Sequence, residues 1–446
     1  MANYGVFSLV PTLLVLIIAI ATKKVIEPLV LGAFVGFLLL DGFQVLSGVV
    51  NGIYSVFSGP TLGMIVAVTL LFGVLIALLE KSGAVLAFSR AIGSRVKSAK
   101  SSLFAAWIIG VILFIDDFLN AIVVGTTMRK ITDKYKVPRE MLAYIADATA
   151  APLEVLLPFS AWAVFFMSMF TQTGLTKSLG LSEFSIYWKT VPFMFYSIAS
   201  LMLVPLVILG VIPPLGAMKK AQARIAAQPI HQEEADIIQE GKARPYHFAV
   251  PILVLVTFTF AVGGDVVQGA MLALIVAFIL FGAQKLLSWQ ELAHCVQDGI
   301  ANMLPVTGII FFSLLLVEGN VRLGTTEFII ETVAPLISRQ MLPLLTFFIV
   351  CIMSFTTGSF FGTSAIVLPI IVPMALAGGS NIYLALGAVI SGAVFGSHCC
   401  FFGDATVLSA VACEISPMDH SLTQLPYGLI SLAVSACLYL ALGFIL

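Results

Sequence analysis

Two aspartates and an asparagine interrupt one of the most apolar stretches of the chain, "LFIDDFLNAIVVGTTMRK" at 113–130. They are Asp116, Asp117 and Asn120, and the residues on both sides are almost all hydrophobic. An ionisable side chain inside a membrane costs at least ~2.5–3.5 kcal/mol, so it is by default a functional residue. Carboxylate oxygens bind cations or carry protons, and an amide oxygen also binds cations. We therefore predict that these three residues take part in ion or proton binding.

Three further groups of polar side chains lie inside apolar segments. One is the run "TTGSFFGTS" at 356–364. The other two are long segments interrupted by glycine or proline, "YIADATAAPLEVLLPFSAW" at 144–162 and "ISGAVFGSHCCFFGDATVLS" at 390–409. Glycine and proline break the helical ladder and free main-chain carbonyls, which with hydroxyls and carboxylates form an oxygen-rich site suited to Na⁺. Helix N-termini at the same place would attract an anionic group of a substrate.

The candidate residues fall into two sets by their chemistry. The residues predicted to bind an ion or a proton are Asp116, Asp117, Asn120, Asp147, Thr149, Thr357, Ser359, Thr363 and Asp404. The residues predicted to form a further substrate or proton site are Glu154, Ser364, Ser391, Ser397, His398 and Thr406. As a hypothesis, Na⁺ itself is assigned to Asp116, Asn120 and Asp147.

Each assignment has a purely structural alternative. Asp147 and Asp404 can cap a half-helix at a break, and one of the two adjacent aspartates can cap the helix that follows it. The small residues at 356–364 can serve close helix packing. Glu154 can pair with a basic side chain, and His398 can be an ordinary buried neutral histidine.

The composition sets the fold class. Of the 446 residues, 60% are hydrophobic and 10% are charged, against about 25% charged in a soluble domain. Apolar runs recur along the whole length, and each is long enough to cross a hydrocarbon core of roughly 30 Å. This predicts an all-α polytopic membrane protein, whose partners are the lipid bilayer and a small ion or small molecule. No nucleophile and base converge in the sequence, so we expect no enzyme activity, no cofactor and no nucleic-acid partner.

Positive charges orient the chain in the membrane. Lys and Arg residues cluster at 81–100 and 129–140, and cytoplasmic loops carry an excess of such residues. Only the apolar stretch 103–128 separates these loops. Because both loops are predicted on the same side, this stretch must cross the membrane an even number of times or not at all. Two helices of about 12 residues reach roughly 18 Å each, which is too short to cross twice. The stretch is therefore predicted to be a re-entrant helical hairpin with "DDFLN" at its tip, near mid-membrane depth.

The second half of the chain repeats the first. "PTLLVLIIAIATKKVIEPLVLGAFVG" resembles "PILVLVTFTFAVGGDVVQGAMLALIV", and "FLNAIV" lies over "GTSAIV". We predict a first repeat at 1–215, a cytoplasmic linker at 216–246 and a second repeat at 247–446, with a second hairpin at about 341–377. Each repeat has about five transmembrane helices and one hairpin. Five is odd, so the repeats have inverted topology, which is typical of secondary transporters.

Four motifs resemble those of the NhaC-type Na⁺/H⁺ antiporter family. They are "FIDDFLNAIVVGTTMRKITDKYKVPREMLAYIADATAAP", "SFTTGSFFGTSAIVLPI", "GAVFGSHCC" and "DHSLTQLPY". The resemblance covers nearly the full length and implies inverted repeats with re-entrant hairpins, homodimers and elevator-like movement. It implies a Na⁺/H⁺ antiporter, which we expect in a bacterial-type inner (plasma) membrane. The alternative is a Na⁺- or H⁺-coupled transporter or exchanger of a small organic acid or amino acid.

Two positions depart from the family pattern. Similar sequences usually carry an acid where this chain has Ser397, and a neutral residue where it has Glu154. When the halves are superposed at an offset of 244, Glu154 falls on His398, one residue from Ser397. The sequence therefore predicts that an acid has moved from one repeat to the other, which favours an altered ion stoichiometry or an organic substrate. An organic cargo is expected near Asn120, Thr149, Ser359 and Thr363.

Overall fold

The computed structural model of the chain folds into helices and short turns, without a strand, over the residues that it describes. These are all residues except 1–3, 23, 25, 59, 94–95, 115–116, 228–241, 263–264, 329–330, 332–336, 358–359 and 402. Helices satisfy their backbone N–H and C=O groups internally, as a chain in hydrocarbon requires. Five of the described helices are long and apolar enough to cross a membrane, or up to eight if three bent pairs each count as one span. The predicted multi-pass helical membrane protein is confirmed.

The helices of the first half are α1 (Val10–Thr22), α2 (Ile26–Asp41), α3 (Val45–Ser58), α4 (Pro60–Lys81), α5 (Ala84–Gly93), α6 (Ala99–Ile112), α7 (Asp117–Lys134), α8 (Arg139–Ala148), α9 (Ala151–Glu154), α10 (Ala161–Gln172), α11 (Leu175–Leu179), α12 (Glu183–Thr190) and α13 (Phe195–Leu209). The linker holds α14 (Gly216–Ala227). The helices of the second half are α15 (Pro245–Ala261), α16 (Val266–Ala283), α17 (Trp289–Leu323), α18 (Thr325–Phe328), α19 (Leu342–Thr357), α20 (Phe360–Gly378), α21 (Ile382–Cys399), α22 (Asp404–Ala412) and α23 (Pro417–Ile445). Short 3₁₀ helices lie at Gly5–Leu9, Gly42–Gln44 and Val191–Phe193.

α6 and α7 form a helix pair where the sequence predicts the first hairpin. Ser98 and Ser101 start the pair with a capping box, in which each side chain accepts a hydrogen bond from the other residue's backbone N–H. The helices pack against each other, and their outer ends meet where Tyr135 Oη donates to the Val96 carbonyl at 3.3 Å. The start of α6 and the end of α7, which are the open ends of the pair, therefore lie together. The depth of its tip in the membrane stays a prediction.

The described parts of three segments, 81–100, 129–140 and the linker 216–246, lie at one end of the molecule. The Tyr135 contact joins the segments 81–100 and 129–140, and Arg224 of α14 forms an ion pair with Glu140 at the start of α8. The sequence predicts a loop at 81–100, whereas the structure has α5 there, because an apolar face of that segment packs against α15 and α7. The location of these segments on the cytoplasmic side of the membrane stays a prediction.

An ion-pair cluster fastens the end of α7 to the end of α22, beyond the spanning segments. The two carboxylate oxygens of Glu414 each lie 2.9 Å from an arginine, one from Arg129 and the other from Arg139. Asp133 hydrogen-bonds Arg139 and raises the pKa of that guanidinium, so its charge persists. Glu414 has a left-handed backbone with φ of 55°, which costs a non-glycine residue conformational free energy. Its ion pairs with the two arginines connect the two halves of the chain.

Two prolines divide the first broken segment into α8, α9 and α10. A proline inside a helix clashes with the carbonyl group four residues earlier. Pro152 lies four residues after Ala148, where α8 ends, and Pro158 lies four residues after Glu154, where α9 ends. The predicted interruption of this segment is confirmed, and its position follows directly from the two prolines.

The second broken segment consists of α21 and α22, also as the sequence predicts. Gly403 stands immediately before α22, with its Cα close to the end of α21. A Cβ atom at this position would lie 2.6 Å from the Ser397 carbonyl oxygen, so a larger residue would push the two half-helices apart. Glycine is therefore what allows the tight reversal between them.

α19 and α20 form the second helix pair, directly before the second broken segment. The junction at 358–359, where the sequence predicts the second tip, lies outside the described residues. The open ends of the pair are neighbours, because Gln340 and Ser380 line the same shallow pocket. Both halves of the chain thus contain a helix pair followed by a broken helix.

Candidate ion-binding site

The Asp147 carboxylate lies in the last turn of α8, beside the first helix break, and is fully buried. Its Oδ2 accepts hydrogen bonds from Gln424 Nε2 at 2.7 Å, Thr406 Oγ1 at 3.1 Å and His420 Nε2 at 3.2 Å, the last in the tautomer protonated on Nε2. Its Oδ1 has no hydrogen-bond partner among the described residues. One oxygen is therefore held in place, and the other is open to a ligand.

All three groups on Asp147 Oδ2 come from the second half of the chain. Thr406 lies in α22, while His420 and Gln424 are four residues apart on α23 and so face the same side. The sequence predicts a role for Thr406 but none for His420 and Gln424, although both stand in the motif "DHSLTQLPY". Their spacing at the start of a long apolar helix is the signal that would have found them.

Asn120, in the first turn of α7, joins the first helix pair to the helix break. Its Nδ2 donates to the Thr149 carbonyl at 2.7 Å and to the Gly110 carbonyl at 2.8 Å. The break after Ala148 leaves the Thr149 carbonyl without its helical partner, and the amide takes that place. A Cβ on Gly110 would lie 2.0 Å from Thr149 Oγ1, so glycine permits this approach. Asn120 Oδ1 is buried and has no partner among the described residues.

His398 lies in the last turn of α21 and contacts the Asp147 cluster through its main chain. Its carbonyl oxygen accepts a hydrogen bond from Gln424 Nε2. Its ring Nδ1 lies 2.8 Å from Tyr196 Oη, and its Nε2 has no partner in the described part of the chain. The structure therefore brings the backbone of His398 to the edge of the site, while its ring contacts Tyr196.

Ser397 and Ser391 occupy different surroundings on the same helix. The Ser397 carbonyl oxygen lies 3.2 Å from Thr406 Oγ1, so its backbone borders the Asp147 cluster. Ser391 lies further from the break, and its Oγ accepts a hydrogen bond from Tyr439 Oη at 2.7 Å. Ser391 therefore belongs to a separate hydrogen-bonded contact between α21 and α23.

Glu154 lies at the end of α9 and is buried. Its Oε1 accepts a hydrogen bond from the Trp162 backbone N–H at 3.4 Å. The Trp162 ring packs on Phe360, the first residue of α20, with ring centroids 3.6 Å apart. Thr363 and Ser364 follow in α20, and both are buried. The start of α20 therefore meets the first half of the chain beside Glu154.

The remaining predicted residues lie at helix ends or beyond the described part of the chain. Asp117 begins α7 and is buried. Thr357 ends α19 and Asp404 begins α22, and for these two the structure describes only the backbone. Asp116 and Ser359 lie outside the described residues. The assignment of Na⁺ to Asp116 thus stays a prediction.

Comparison with known proteins shows the family. The model of the Na⁺/H⁺ antiporter family matches residues 166–444, which is more than half of the chain. The chain belongs to the Na⁺/H⁺ antiporter family. Its membership confirms the resemblance carried by the sequence motifs, and the family is one of transporters, not enzymes.

Three relatives of this antiporter-family protein differ in how much of it they match. A Haemophilus influenzae protein described as uncharacterized is 30% identical over 480 aligned residues, covering 99% of this chain and 91% of its own. The malate-2H⁺/Na⁺-lactate antiporter of Bacillus subtilis is 24% identical over 40% of this chain and 42% of its own. An uncharacterized Na⁺/H⁺ antiporter of H. influenzae is 26% identical over 34% of each.

Two solved transporters share the fold of this antiporter-family protein. The YdaH transporter of Alcanivorax borkumensis superposes with a TM-score of 0.69 at 17% identity, over 91% of this chain and 90% of that one. MtrF of Neisseria gonorrhoeae, described within a class of antimetabolite efflux pumps, superposes with a TM-score of 0.61 at 16% identity, over 90% and 85%. At these identities the likeness concerns the fold alone.

Proposed function

We propose that this protein is an ion-coupled secondary active transporter that exchanges Na⁺ for H⁺ by alternating access. The observation that carries the proposal is the Asp147 carboxylate, which is fully buried at a helix break with one oxygen held by three donors and one oxygen open. A buried carboxylate is costly unless it is hydrogen-bonded or paired, and an intramembrane one is by default functional. Family membership points to the same chemistry.

The exchange rests on competition between the two ions for the same carboxylate. Na⁺ binds at Asp147 with Asp116 and Asn120 as further ligands, and H⁺ binds Asp147 when Na⁺ has left. The open Oδ1 of Asp147 and the open Oδ1 of Asn120 support this assignment, because both are buried acceptors without a partner among the described residues. Because one carboxylate cannot hold both ions, loading of one ion requires release of the other.

The membrane arrangement in this proposal follows the sequence prediction. Two inverted repeats each contribute a re-entrant hairpin and a broken helix to a central site, and one domain moves like an elevator within a homodimer. The segments 81–100, 129–140 and 216–246 face the cytoplasm from a bacterial-type inner membrane. The contacts that bring the described parts of these segments to one end of the molecule support that side assignment.

A second candidate function is Na⁺- or H⁺-coupled transport or exchange of a small organic acid or amino acid on the same fold. The buried acid at Glu154, where similar sequences usually have a neutral residue, favours it. So does the similarity of part of the chain to a protein named for malate and lactate exchange.

Proteoliposomes with a trapped pH-sensitive dye separate the two functions. A Na⁺ gradient alone is compared with the same gradient plus a panel of amino and organic acids. Exchange of Na⁺ for H⁺ predicts a proton flux with Na⁺ alone that added solutes do not raise. A flux that depends on one added solute contradicts it and supports the second candidate.

A further inference from the structure

The carboxamide of Gln424 has an orientation that its neighbours determine. Its Nε2 donates to Asp147 Oδ2 at 2.7 Å and also to the His398 carbonyl oxygen. A carboxamide has two N–H donors on nitrogen and only acceptor sites on oxygen. If the group were flipped, its Oε1 would face two other acceptors and both hydrogen bonds would be lost. The nitrogen must therefore face these two oxygens, which turns Oε1 away from them.

The Gln424 Oε1 atom is consequently a buried acceptor with no hydrogen-bond partner in the described part of the chain. The residue itself is fully buried. A buried polar atom left unsatisfied loses its hydration without replacement, so it calls for an explanation in a native structure. Oδ1 of Asp147, the residue that Gln424 Nε2 contacts, also has no partner among the described residues.

Asn120 shows the same arrangement in the first half of the chain. Both hydrogens of its Nδ2 are used by main-chain carbonyls, and its Oδ1 is buried without a described partner. The helix break thus carries three open oxygens, on Asp147, Asn120 and Gln424. A hard cation satisfies such acceptors without needing an acceptor in return, and it is the ligand that the proposed exchange supplies.

We propose that Gln424 is a ligand of the transported cation and binds it through Oε1, together with Asp147 Oδ1. The inference rests on the proposed Na⁺/H⁺ exchange and adds a residue from the second half to a site whose predicted Na⁺ ligands all lie in the first. Because Asp147 is on α8 and Gln424 is on α23, the bound cation holds these two helices together. Binding of the ion is thereby linked to the relative position of the two halves.

Two substitutions distinguish the role of the Gln424 side-chain oxygen from the role of its nitrogen. Gln424→Met removes both at nearly constant volume, whereas Gln424→His keeps an N–H that can reach Asp147 but has no carbonyl oxygen. We expect both variants to raise the half-saturating Na⁺ concentration by about tenfold or more. We also expect the ratio of Na⁺ to Li⁺ half-saturation to change. The measurement is the initial rate of exchange in proteoliposomes at a series of Na⁺ and Li⁺ concentrations.

Thr423→Val is the matched control, because Thr423 is the buried neighbour on α23 and its hydroxyl bonds only to its own helix. A wild-type half-saturation in both Gln424 variants overturns the proposal. So does a loss confined to Gln424→Met, or an equal rise for Na⁺ and Li⁺, since either result assigns Gln424 to positioning Asp147.

Stabilisation of the purified protein by Na⁺ gives a readout that does not depend on transport. We expect Na⁺ to raise the thermal unfolding midpoint of the wild type and of Thr423→Val, but to raise that of Gln424→His much less. Na⁺ stabilisation without Na⁺/H⁺ flux would contradict the proposed function and leave the ligand assignment standing. A wild type that Na⁺ does not stabilise, or a Gln424→His that it stabilises equally, overturns the ligand assignment.

Discussion

At Asp147 the two oxygens of one carboxylate have separate tasks. Three donors converge on Oδ2, and a buried charge is tolerated only when it is satisfied in this way. Oδ1 has no partner among the described residues, and in the proposed exchange it binds the ion. Because its Oδ2 atom is held by three donors, the carboxylate is expected to keep its orientation when the ion leaves. The proposed site is then already formed before each ion binds. The orientation of the Asp147 carboxylate therefore depends on donors from the second half of the chain.

The Glu154 carboxylate provides a separate test at the residue scale. We expect Glu154→Gln to lower the initial rate of exchange on the order of tenfold and to move its pH optimum, because loss of a titrating group changes how protons compete with Na⁺. Adding Ser397→Asp should recover part of the rate, a coupling that only the double mutant reveals. The measurement is the initial rate from about pH 6 to 9 for the wild type, both single variants and the double variant.

Glu183→Gln, at the partly exposed start of α12, controls for loss of an acid elsewhere. An unshifted pH profile in Glu154→Gln, with only a small loss of stability, would show that Glu154 is structural and that no acid was relocated.

The acids of this site are visible in the sequence, and their partners are not. Asp147 stands out because it is ionisable within an apolar segment, and that local contrast is enough to find it. His420 and Gln424 lie 273 and 277 residues away along the chain, and only the packing of α8 against α23 brings them to the carboxylate. Nothing in a single sequence specifies which oxygen of Asp147 stays open.

At the scale of elements, the α6 and α7 pair sets the topology of the first half. Cysteines placed at the exposed ends of the pair, Lys97→Cys and Lys134→Cys, should react with an impermeant thiol reagent from the same, cytoplasmic, side. The reason is that both ends lie together and each helix is short. The measurement is side-specific labelling in a chain whose six native cysteines are replaced.

Arg339→Cys, at the open end of the second helix pair, is the control and should react only from the opposite side. Labelling of Lys97→Cys and Lys134→Cys from opposite sides would show that 103–128 crosses the membrane once, and the predicted inverted repeat would be wrong.

The linker helix α14 is held to α8 by one ion pair. The Glu140 side chain is only 4% exposed, whereas Arg224 is 59% exposed. Arg224→Ala leaves the carboxylate buried without its cation, and we expect a loss of about 1–3 kcal/mol in the free energy of unfolding. Thermal unfolding of the purified protein measures the effect. Arg224→Ala with Glu140→Gln should recover part of it.

Lys220→Ala, at an exposed position on the same helix, is the matched control for loss of a positive charge. If Arg224→Ala and Lys220→Ala lower the unfolding midpoint equally, the ion pair does not hold the linker helix in place.

The breaks in the helices were predictable because their causes are local. Pro152 and Pro158 end α8 and α9 four residues upstream, and such a rule needs no tertiary information. α5 was missed because its segment carries several basic residues, and only its packing against neighbouring helices makes it a helix. The apolar run 300–318 is the central part of α17, because the polar residues before it continue the same helix.

At the scale of the whole molecule, the site lies where the two halves of the chain meet. The first half supplies the carboxylate, the second half supplies the groups that hold it, and the ion pairs of Glu414 join the halves at the end of α22. The fold is shared with two solved transporters of low sequence identity. Contacts of the first broken helix with α22 and α23 thus hold parts of both halves together, as the proposed elevator-like movement of one domain requires.

The most direct test is Na⁺ uptake into proteoliposomes driven by an acidic interior, with wild type compared to Asp147→Asn. We predict that the wild type accumulates Na⁺ while the interior becomes alkaline, and that collapse of the pH gradient stops the uptake. Asp147→Asn keeps the size of the side chain and loses the charge, so it should fold normally and show only the flux of protein-free liposomes. Exchange by Asp147→Asn at the wild-type rate and with wild-type Na⁺ dependence would contradict the account.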